Sequence, residues 1–270
     1  MAKSRRKPHK APKLLVLDIV TSPQLRMFLA TDGAFDVIMS THSSPEGSPL
    51  KHYDTPTGAT LQVDFAWSKF RNIVSEKNGD QLTPVYIQHF RPTKPQLRLD
   101  DAVTNTPIST GTINNVSIAA ECTIHGQTIP IKPLKKWKTA YNYLSTTLST
   151  TGSPVPISWI ATSSLKIWDF ICIDSTTQTA IAKFSVNWWA IKQVGNFHFE
   201  RSAAALSKEV RDEIVTVGLT ILYVMVTRMN NPLHLLGATF AKAGRVEDDG
   251  RAGGVELEER PNDGTKHKQV

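Results

Sequence analysis

The 270-residue chain contains only two cysteines, Cys122 and Cys172, which are too few for a disulfide framework. We therefore expect an intracellular protein, cytoplasmic or nuclear, in a reducing environment. The chain also lacks an apolar run long enough to cross a membrane. The mostly apolar, uncharged stretch from Ile214 to Val226 has thirteen residues, whereas a bilayer requires about 20. We expect no transmembrane span, and no signal peptide, because Asp18 interrupts the first apolar segment.

Motifs of catalysis and metal binding are missing as well. None of the eight histidines forms a metal-ligand spacing with another His, Cys or carboxylate. There is no glycine-rich phosphate loop and no Gly-x-Ser-x-Gly nucleophile motif. Asp100 and Asp101 would point to opposite faces of a strand, and we expect them in a solvated loop. We therefore expect a non-enzymatic protein with no catalytic residue, cofactor or metal.

The net charge of +7 is concentrated at the N-terminus, because the body of the chain is nearly neutral. Residues 1–12 are predicted to be a disordered basic arm and residues 242–270 a disordered charged tail, since neither segment has enough apolar surface to fold. Residues 13–241 then form one domain. The basic residues at the N-terminus are Lys3, Arg5, Arg6, Lys7, Lys10 and Lys13.

Most of this domain shows the alternation of apolar and polar residues that is typical of strands. In the clearest hairpin, Ile118, Ala120, Cys122 and Ile124 share one face, and Gly126-Gln127 would form a two-residue turn. Pro130 would place the returning strand at an edge or a bulge.

A second hairpin is predicted around a polar turn at residues 174–178. Apolar residues lie on both faces of its first strand, around Trp168, Phe170 and Cys172, so we expect that strand to be covered on both sides. Further strands are expected at LLVLDIV, LRMFLA, FDVIMS, PVYIQHF, QLRLD, ISTGTIN, PISWIA and GNFHFE. The total is about a dozen strands, without the alternation of strands and helices that parallel sheets require.

Two segments have patterns that are less clear. Residues 64–79 predict a short helix, with Asp64 as its cap, Phe70, Ile73 and Val74 facing inward and Gly79 beyond its end. Residues 134–148 fit a helix and a strand about equally well, and their periodicity does not decide between them.

The uncharged stretch near the C-terminus is predicted to be a helix over about 208–229. It is too long for an ordinary strand. Ser207 is a good N-cap, and Asn230-Asn231-Pro232 would end the helix. Apolar residues cover all its sides, and such a helix must be enclosed by protein. The chain is therefore predicted to be a mainly β (α+β) protein, in which a closed antiparallel β-barrel of about a dozen strands surrounds a buried hydrophobic helix. Gly218 would let the helix approach the wall closely.

The order of these segments resembles the tubby C-terminal-like superfamily, which includes tubby proteins, phospholipid scramblases and LURP-one-related proteins. The resemblance rests on LKIWDFICIDSTTQTAIAKFSVNWWAIKQVGNFHFE, followed by KEVRDEIVTVGLTILYVMVTRM, and on the hairpin TGTINNVSIAAECTIHG. It covers roughly residues 84–230 and is most similar to small stand-alone fungal members. The cysteine-rich segment and C-terminal span of scramblases are absent, and so is the closing signature of animal tubby proteins.

The resemblance implies a binding module that associates with phosphoinositides or an anionic membrane surface, peripherally, or with a protein partner. The matching sequence feature is a cluster in which lysines surround a tryptophan, an arrangement that can grip a phosphoinositide headgroup or lie in a solvated loop. Its members are Lys132, Lys135, Lys136, Trp137 and Lys138.

Three other interpretations remain open. The basic arm could serve nuclear import or touch anionic lipid, and nucleic acid is expected to bind it only non-specifically. A structural or nucleic-acid-packaging protein could also carry such an arm ahead of a β-domain. An enzyme or a carrier of small apolar molecules would use the barrel interior, which the helix should already fill.

Overall fold

The structure is a computed structural model that describes residues 58–114, 117–135, 139–163, 167–187, 192–202, 205–230 and 243–246. Within these ranges twelve antiparallel strands form a closed barrel, and one long helix follows them. The basic arm, the greater part of the charged tail and the strands predicted between residues 14 and 40 lie outside the described residues.

Each strand of the barrel pairs with its neighbours in sequence, and β1 closes the sheet by pairing with β12. The fold predicted from the sequence is therefore confirmed. The strands are β1 (Thr60–Ala66), β2 (Arg71–Asn78), β3 (Gln81–Phe90), β4 (Leu97–Asp101), β5 (Pro107–Ile113), β6 (Ala120–Ile124), β7 (Gln127–Pro133), β8 (Ala140–Ser145), β9 (Val155–Ser163), β10 (Ile167–Asp174), β11 (Ala180–Asn187) and β12 (Gln193–Phe199).

The helix α1 (Lys208–Asn230) runs through the barrel and fills it. Ser207 caps its N-terminus by accepting a hydrogen bond from the Val210 N–H at 3.3 Å. From Asp212 to Leu222 every residue for which an exposure is given is buried, because the wall surrounds the helix on all sides. The prediction of an enclosed helix is therefore confirmed, and it ends at Asn230 as the Asn-Asn-Pro sequence indicates.

The helix approaches the wall closely at Gly218, as predicted. A Cβ atom at this position would lie 2.7 Å from a ring carbon of Phe197 and 3.1 Å from a ring carbon of Trp159. On the other side of the helix, a Cβ at Gly111 would lie 2.5 Å from the Thr220 hydroxyl oxygen. Glycine on the helix and glycine on the wall therefore set the distance between the two.

The helix predicted at residues 64–79 is wrong. These residues form the end of β1, a 3₁₀ turn at Trp67–Lys69 and β2. Val74 faces the core, whereas its neighbour Ile73 lies on the opposite face and is only partly buried, which is the period of a strand. Of residues 134–148, whose pattern fits a helix and a strand about equally well, Ala140–Ser145 form the strand β8.

The hairpin of β6 and β7 has the predicted inward face, because Ile118, Ala120, Cys122 and Ile124 are all buried. Its turn lies one residue earlier than predicted. Ile124 pairs with Gln127, so the central residues are His125 and Gly126, both with positive φ (49° and 83°). This pair of angles matches the tight turn that suits the twist of a hairpin.

The seam between β7 and β8 is the shortest ladder of the barrel. Within the described residues it has two register pairs, Lys132 with Asn142 and Pro133 with Tyr141, whereas every other seam has at least four. Pro130 lies in the part of β7 without a register partner on β8, which explains how a closed barrel accommodates it.

Residues 243–246 lie against this seam from the outside. The Gly244 N–H donates to the Pro133 carbonyl at 3.1 Å, and the Asn142 side chain donates to the Gly244 carbonyl at 3.0 Å. The Val246 N–H donates to Asn142 Oδ1 at 2.8 Å. The segment after α1 therefore supplies hydrogen bonds at the seam where the ladder is short.

Candidate functional site

The two rims of the barrel differ in chemistry. We name the rim where α1 begins the upper rim and the rim where it ends the lower rim. Consecutive strands run in opposite directions, so the connections between them lie alternately at the two rims. Each connection that follows an odd-numbered strand belongs to the lower rim, and each one that follows an even-numbered strand belongs to the upper rim. The contact of Phe90, at the end of β3, with Tyr223 of α1 agrees with this assignment.

The lower-rim connections carry positive charge only. In the sequence they contain eight Lys or Arg residues and no Asp or Glu, whereas the upper-rim connections contain one Arg and two acids. Of the eight cations the structure describes five, all of them exposed. They are Lys69, Arg91, Lys94, Lys135 and Lys192.

An aromatic cluster, made of Phe65, Trp67, Phe70, Phe90 and Tyr223, covers part of the lower rim. The ring centroids of successive members are 4.8 to 5.7 Å apart, from Trp67 through Phe65, Phe70 and Phe90 to Tyr223 of α1. The cluster begins at the buried helix and reaches solvent, where Trp67 is 48% exposed and Phe70 38%. Packing on the inner rings therefore holds two large apolar side chains at the surface, beside Lys69.

Two members of the predicted lysine–tryptophan cluster are described at this rim. Lys132, at the end of β7, is partly buried, and Lys135, in the connection to β8, is exposed. Lys136, Trp137 and Lys138 lie outside the described residues, as do Lys3, Arg5, Arg6, Lys7, Lys10 and Lys13 of the arm. The sequence did not predict Trp67 and Phe70 as site residues, because its pattern indicates a helix at residues 64–79 and not the turn that exposes them.

The barrel interior is filled. One cavity between α1 and strands β3 to β5 measures about 10 Å³, which is room for a single water molecule. Polar side chains beside it bond to one another, with 2.6 Å from Asn72 Nδ2 to Gln88 Oε1 and 2.6 Å between the hydroxyls of Ser109 and Thr216. This region of the interior cannot hold a carrier's ligand.

A charged cluster fixes the first turn of α1 at the upper rim. The carboxylate of Asp212 is fully buried and accepts a hydrogen bond from the Tyr86 hydroxyl at 2.6 Å. Its other oxygen lies 3.0 Å from Lys208 Nζ and 3.1 Å from His125 Nε2. Burial, and then the carboxylate of Asp212, raise the pKa of Tyr86, so the phenol remains a donor. The cluster attaches the helix to the wall, and Asp212 could be expected from the sequence only as an acid near a helix N-terminus.

Both cysteines are core residues, as predicted, and both are fully buried. Burial raises the pKa of the Cys122 thiol to about 12, and it raises that of Cys172 well above its ordinary value, with the Glu213 carboxylate adding to the effect. Since the thiolate is the nucleophile, these thiols are poor candidates for catalysis.

We expect both thiols to resist a thiol reagent in the folded protein. At about pH 8 a thiol with a pKa of about 12 is ionised in roughly one molecule in 10⁴. Mass spectrometry after brief treatment with iodoacetamide should therefore detect almost no modification. The same treatment in concentrated guanidinium chloride should modify both residues completely. Rapid modification of the native protein would show that the wall beside β6 or β10 opens readily.

Within the described ranges, no group of three or more His, Cys, Asp or Glu side chains is arranged to hold a metal ion. In the same part of the chain, no helix has the length and apolar character needed to cross a bilayer. Comparisons with protein-family models, with curated proteins and with solved structures found no match to this chain. The similarity to tubby-like domains therefore stays a prediction from the sequence.

Proposed function

We propose that the protein is a non-enzymatic, tubby-like barrel that associates peripherally with anionic membrane surfaces, including those that carry phosphoinositides, through its lower rim. The observation that carries the proposal is the coincidence, among the described residues of the lower-rim connections, of five exposed cations, no acids and two exposed aromatic side chains. Aromatic side chains favour the interface between water and lipid, and cations are attracted to anionic headgroups.

The distribution of charge supports this orientation. The upper-rim connections contain a single cation, Arg201, and two acids, Asp80 and Glu200. Each lysine or arginine near an anionic surface contributes about 1 kcal/mol. Three lower-rim lysines would therefore contribute about 3 kcal/mol, which corresponds to roughly 100-fold in the partition coefficient.

The attachment of the aromatic cluster to α1 also supports the proposal. The rings of Trp67 and Phe70 are held by Phe65 and Phe90, so little conformational freedom is lost when they enter the headgroup region. Aromatic residues on a mobile loop would lose more conformational entropy on binding, so they would contribute less to the binding free energy.

The test is co-sedimentation of the full chain with vesicles of phosphatidylcholine that contain a phosphoinositide. Replacing Lys69, Lys94 and Lys135 together by glutamine should lower the partition coefficient about 100-fold at low salt. Trp67→Ser should lower it by about one order of magnitude, because an exposed indole is lost from the interface. Raising the salt concentration should weaken binding of the unchanged protein.

Controls come from the other end of the barrel. Val103 is 81% exposed in an upper-rim connection, so Val103→Ser removes exposed apolar surface without touching the lower rim. Lys77→Gln removes an exposed charge near the upper rim. Equal losses from the controls and the lower-rim variants would contradict the proposal. A chain in which the six arm residues are replaced by glutamine separates attraction by the arm from attraction by the rim.

A further inference from the structure

A row of basic side chains crosses the outer wall just inside the lower rim. Arg71 of β2 pairs in register with His89 of β3, and His89 pairs with Arg98 of β4. Residues adjacent in register on neighbouring strands point to the same face. That face is the outer one, because the residues beside them on each strand, Asn72 and Leu97, are buried on the core side.

The spacing of the row suits convergence on one ligand. Neighbouring strands lie about 4.8 Å apart, so the backbones of Arg71 and Arg98 are separated by about 10 Å, with His89 between them. The side chains of Arg71 and Arg98 are long enough for both guanidinium groups to reach one ligand located over the His89 ring. The row is accessible, since the side chain of Arg98 is 42% exposed and that of His89 is 33% exposed.

The guanidinium groups have hydrogen-bonding capacity to spare. Arg71 forms no side-chain hydrogen bond or ion pair with any described residue, and its Nε is buried without a partner. Arg98 donates to Asp100 at 2.7 Å through one terminal nitrogen, and its Nε is also buried without a partner. A partly buried arginine that has no acidic partner still carries its positive charge and five N–H donors, which favour binding of an anion.

Asp100 is the acid in contact with this row, and the sequence-based expectation for it was wrong. It lies in β4 rather than in a solvated loop, and its side chain is 7% exposed. Besides Arg98 it contacts His89, whose Nε2 lies 3.2 Å from its Oδ2. Asp100 contacts Arg98 and His89, and a second acid on this face, Asp64 of β1, accepts hydrogen bonds from the Gln62 side chain at 2.9 and 3.1 Å. Within the described residues neither acid forms an ion pair with Arg71.

We propose that Arg71, His89 and Arg98 form a binding site for a phosphate monoester on the outer wall of the barrel. Guanidinium groups bind phosphate oxygens through paired donors, and a dianion would offset the positive charge of the two arginines. The phosphate could belong to a lipid headgroup or to a free phosphorylated molecule, since the same donors recognise both. The site does not depend on membrane association by the lower rim, and the two can be tested separately.

His89 would report directly on the bound anion. Burial lowers the pKa of its imidazole, Arg98 and Arg71 lower it further, and Asp100 partly opposes them. A dianion on the two arginines would offset their effect and raise the pKa of His89. By linkage, the anion must then bind more tightly as the pH falls and His89 becomes protonated.

The first experiment is a titration of the full chain with inorganic phosphate at low ionic strength, followed through the His89 ring resonances by NMR. We expect a saturable shift. Arg71→Gln should weaken the affinity at least tenfold without destabilising the fold, because Arg71 has no ion pair with a described residue to lose. Arg71→Lys keeps the charge without the paired donors, and should lose less. Lys77→Gln removes an exposed charge at the other end of β2, outside the row, and should change the affinity by less than twofold.

The pH dependence is measured with sulfate, which remains a dianion across the range in which histidine titrates. Sulfate should bind more tightly at low pH, and its presence should raise the pKa of His89. Absence of a saturable shift, equal losses from Arg71→Gln and Lys77→Gln, or an unchanged His89 pKa in the presence of sulfate would each overturn the proposal.

Vesicles that contain a phosphoinositide distinguish the two sources of phosphate. If Arg71→Gln weakens binding both to inorganic phosphate and to these vesicles, the site takes a lipid headgroup. If it weakens only phosphate binding, the site takes a free phosphate monoester. Trp67→Ser and the triple replacement of Lys69, Lys94 and Lys135 test the lower rim. If they weaken vesicle binding and leave phosphate binding unchanged, the phosphate site is separate from the lower rim, as proposed.

Discussion

Replacing Asp212 by alanine is expected to lower the free energy of unfolding by about 3 kcal/mol, because a fully buried carboxylate loses its hydrogen bond with Tyr86 and its contacts with two half-exposed basic side chains. The change leaves the buried Tyr86 hydroxyl without its acceptor at 2.6 Å and removes the nearer of the two carboxylates beside Lys208, at 3.0 Å. It also removes a negative charge from the first turns of α1, where the helix dipole favours one. Urea unfolding, followed by tryptophan fluorescence, measures the loss.

Two further variants show whether the cluster is the cause. Asp80→Ala removes an exposed acid from an upper-rim turn, and should change stability by less than about 0.5 kcal/mol. Tyr86→Phe removes the phenolic hydroxyl and keeps the ring, so its cost should lie between the other two, at about 1–3 kcal/mol. If Asp212→Ala and Asp80→Ala cost the same, the cluster does not hold the helix to the wall.

Gly218→Val is expected to cost about 3 kcal/mol or to prevent folding. The first added carbon would lie 2.7 Å from the ring of Phe197, whose other side stacks on Phe184 with centroids 4.0 Å apart. Neither ring can move away without displacing the wall, and overpacking of this kind costs 1–3 kcal/mol or somewhat more. In an exposed helix the exchange of glycine for alanine would instead stabilise the protein by about 1 kcal/mol.

The sign of the smaller change, Gly218→Ala, is therefore informative in itself. A loss of stability shows that the wall is in contact with the helix at this residue, and a gain would contradict the threaded arrangement. A double-mutant cycle with Phe197→Leu makes the test specific, because the smaller side chain should relieve the overlap and recover part of the loss. Thermal unfolding of the four proteins gives the coupling energy.

The sequence predicted the architecture because its strongest signals are local and agree with one another. A helix with apolar residues on all sides needs an enclosure, and about a dozen strands with alternating patterns can supply one. The error at residues 64–79 also has a local cause. Phe70, Ile73 and Val74 are spaced as on a helix face, but Phe70 belongs to a turn that packs on Phe65 and Phe90 from two other strands. That contact depends on tertiary structure, and no local pattern reveals it.

The candidate sites were less predictable for the same reason. The lysines around Trp137 are adjacent in the sequence and could be noticed there. Trp67, Lys94 and Lys192 belong to one rim only because the strands alternate in direction and the sheet closes. The row of Arg71, His89 and Arg98 depends on the register of three strands, which sequence patterns do not determine. Residues that are far apart in the chain become a site only once strand order and register are known.

The position of the helix in the chain has a consequence for biosynthesis. The strands from Thr60 to Phe199 leave the ribosome before α1, yet their inner faces are apolar and have nothing to pack against until Asn230 has been made. The first and last strands of the barrel are also partners, so the sheet closes through contacts such as that of Thr60 with His198, 138 residues apart in the chain. High contact order slows folding, and exposed strands are prone to aggregation while they wait. The barrel should therefore complete its folding only after synthesis of α1, and chaperones that shield unpaired strands should increase its yield.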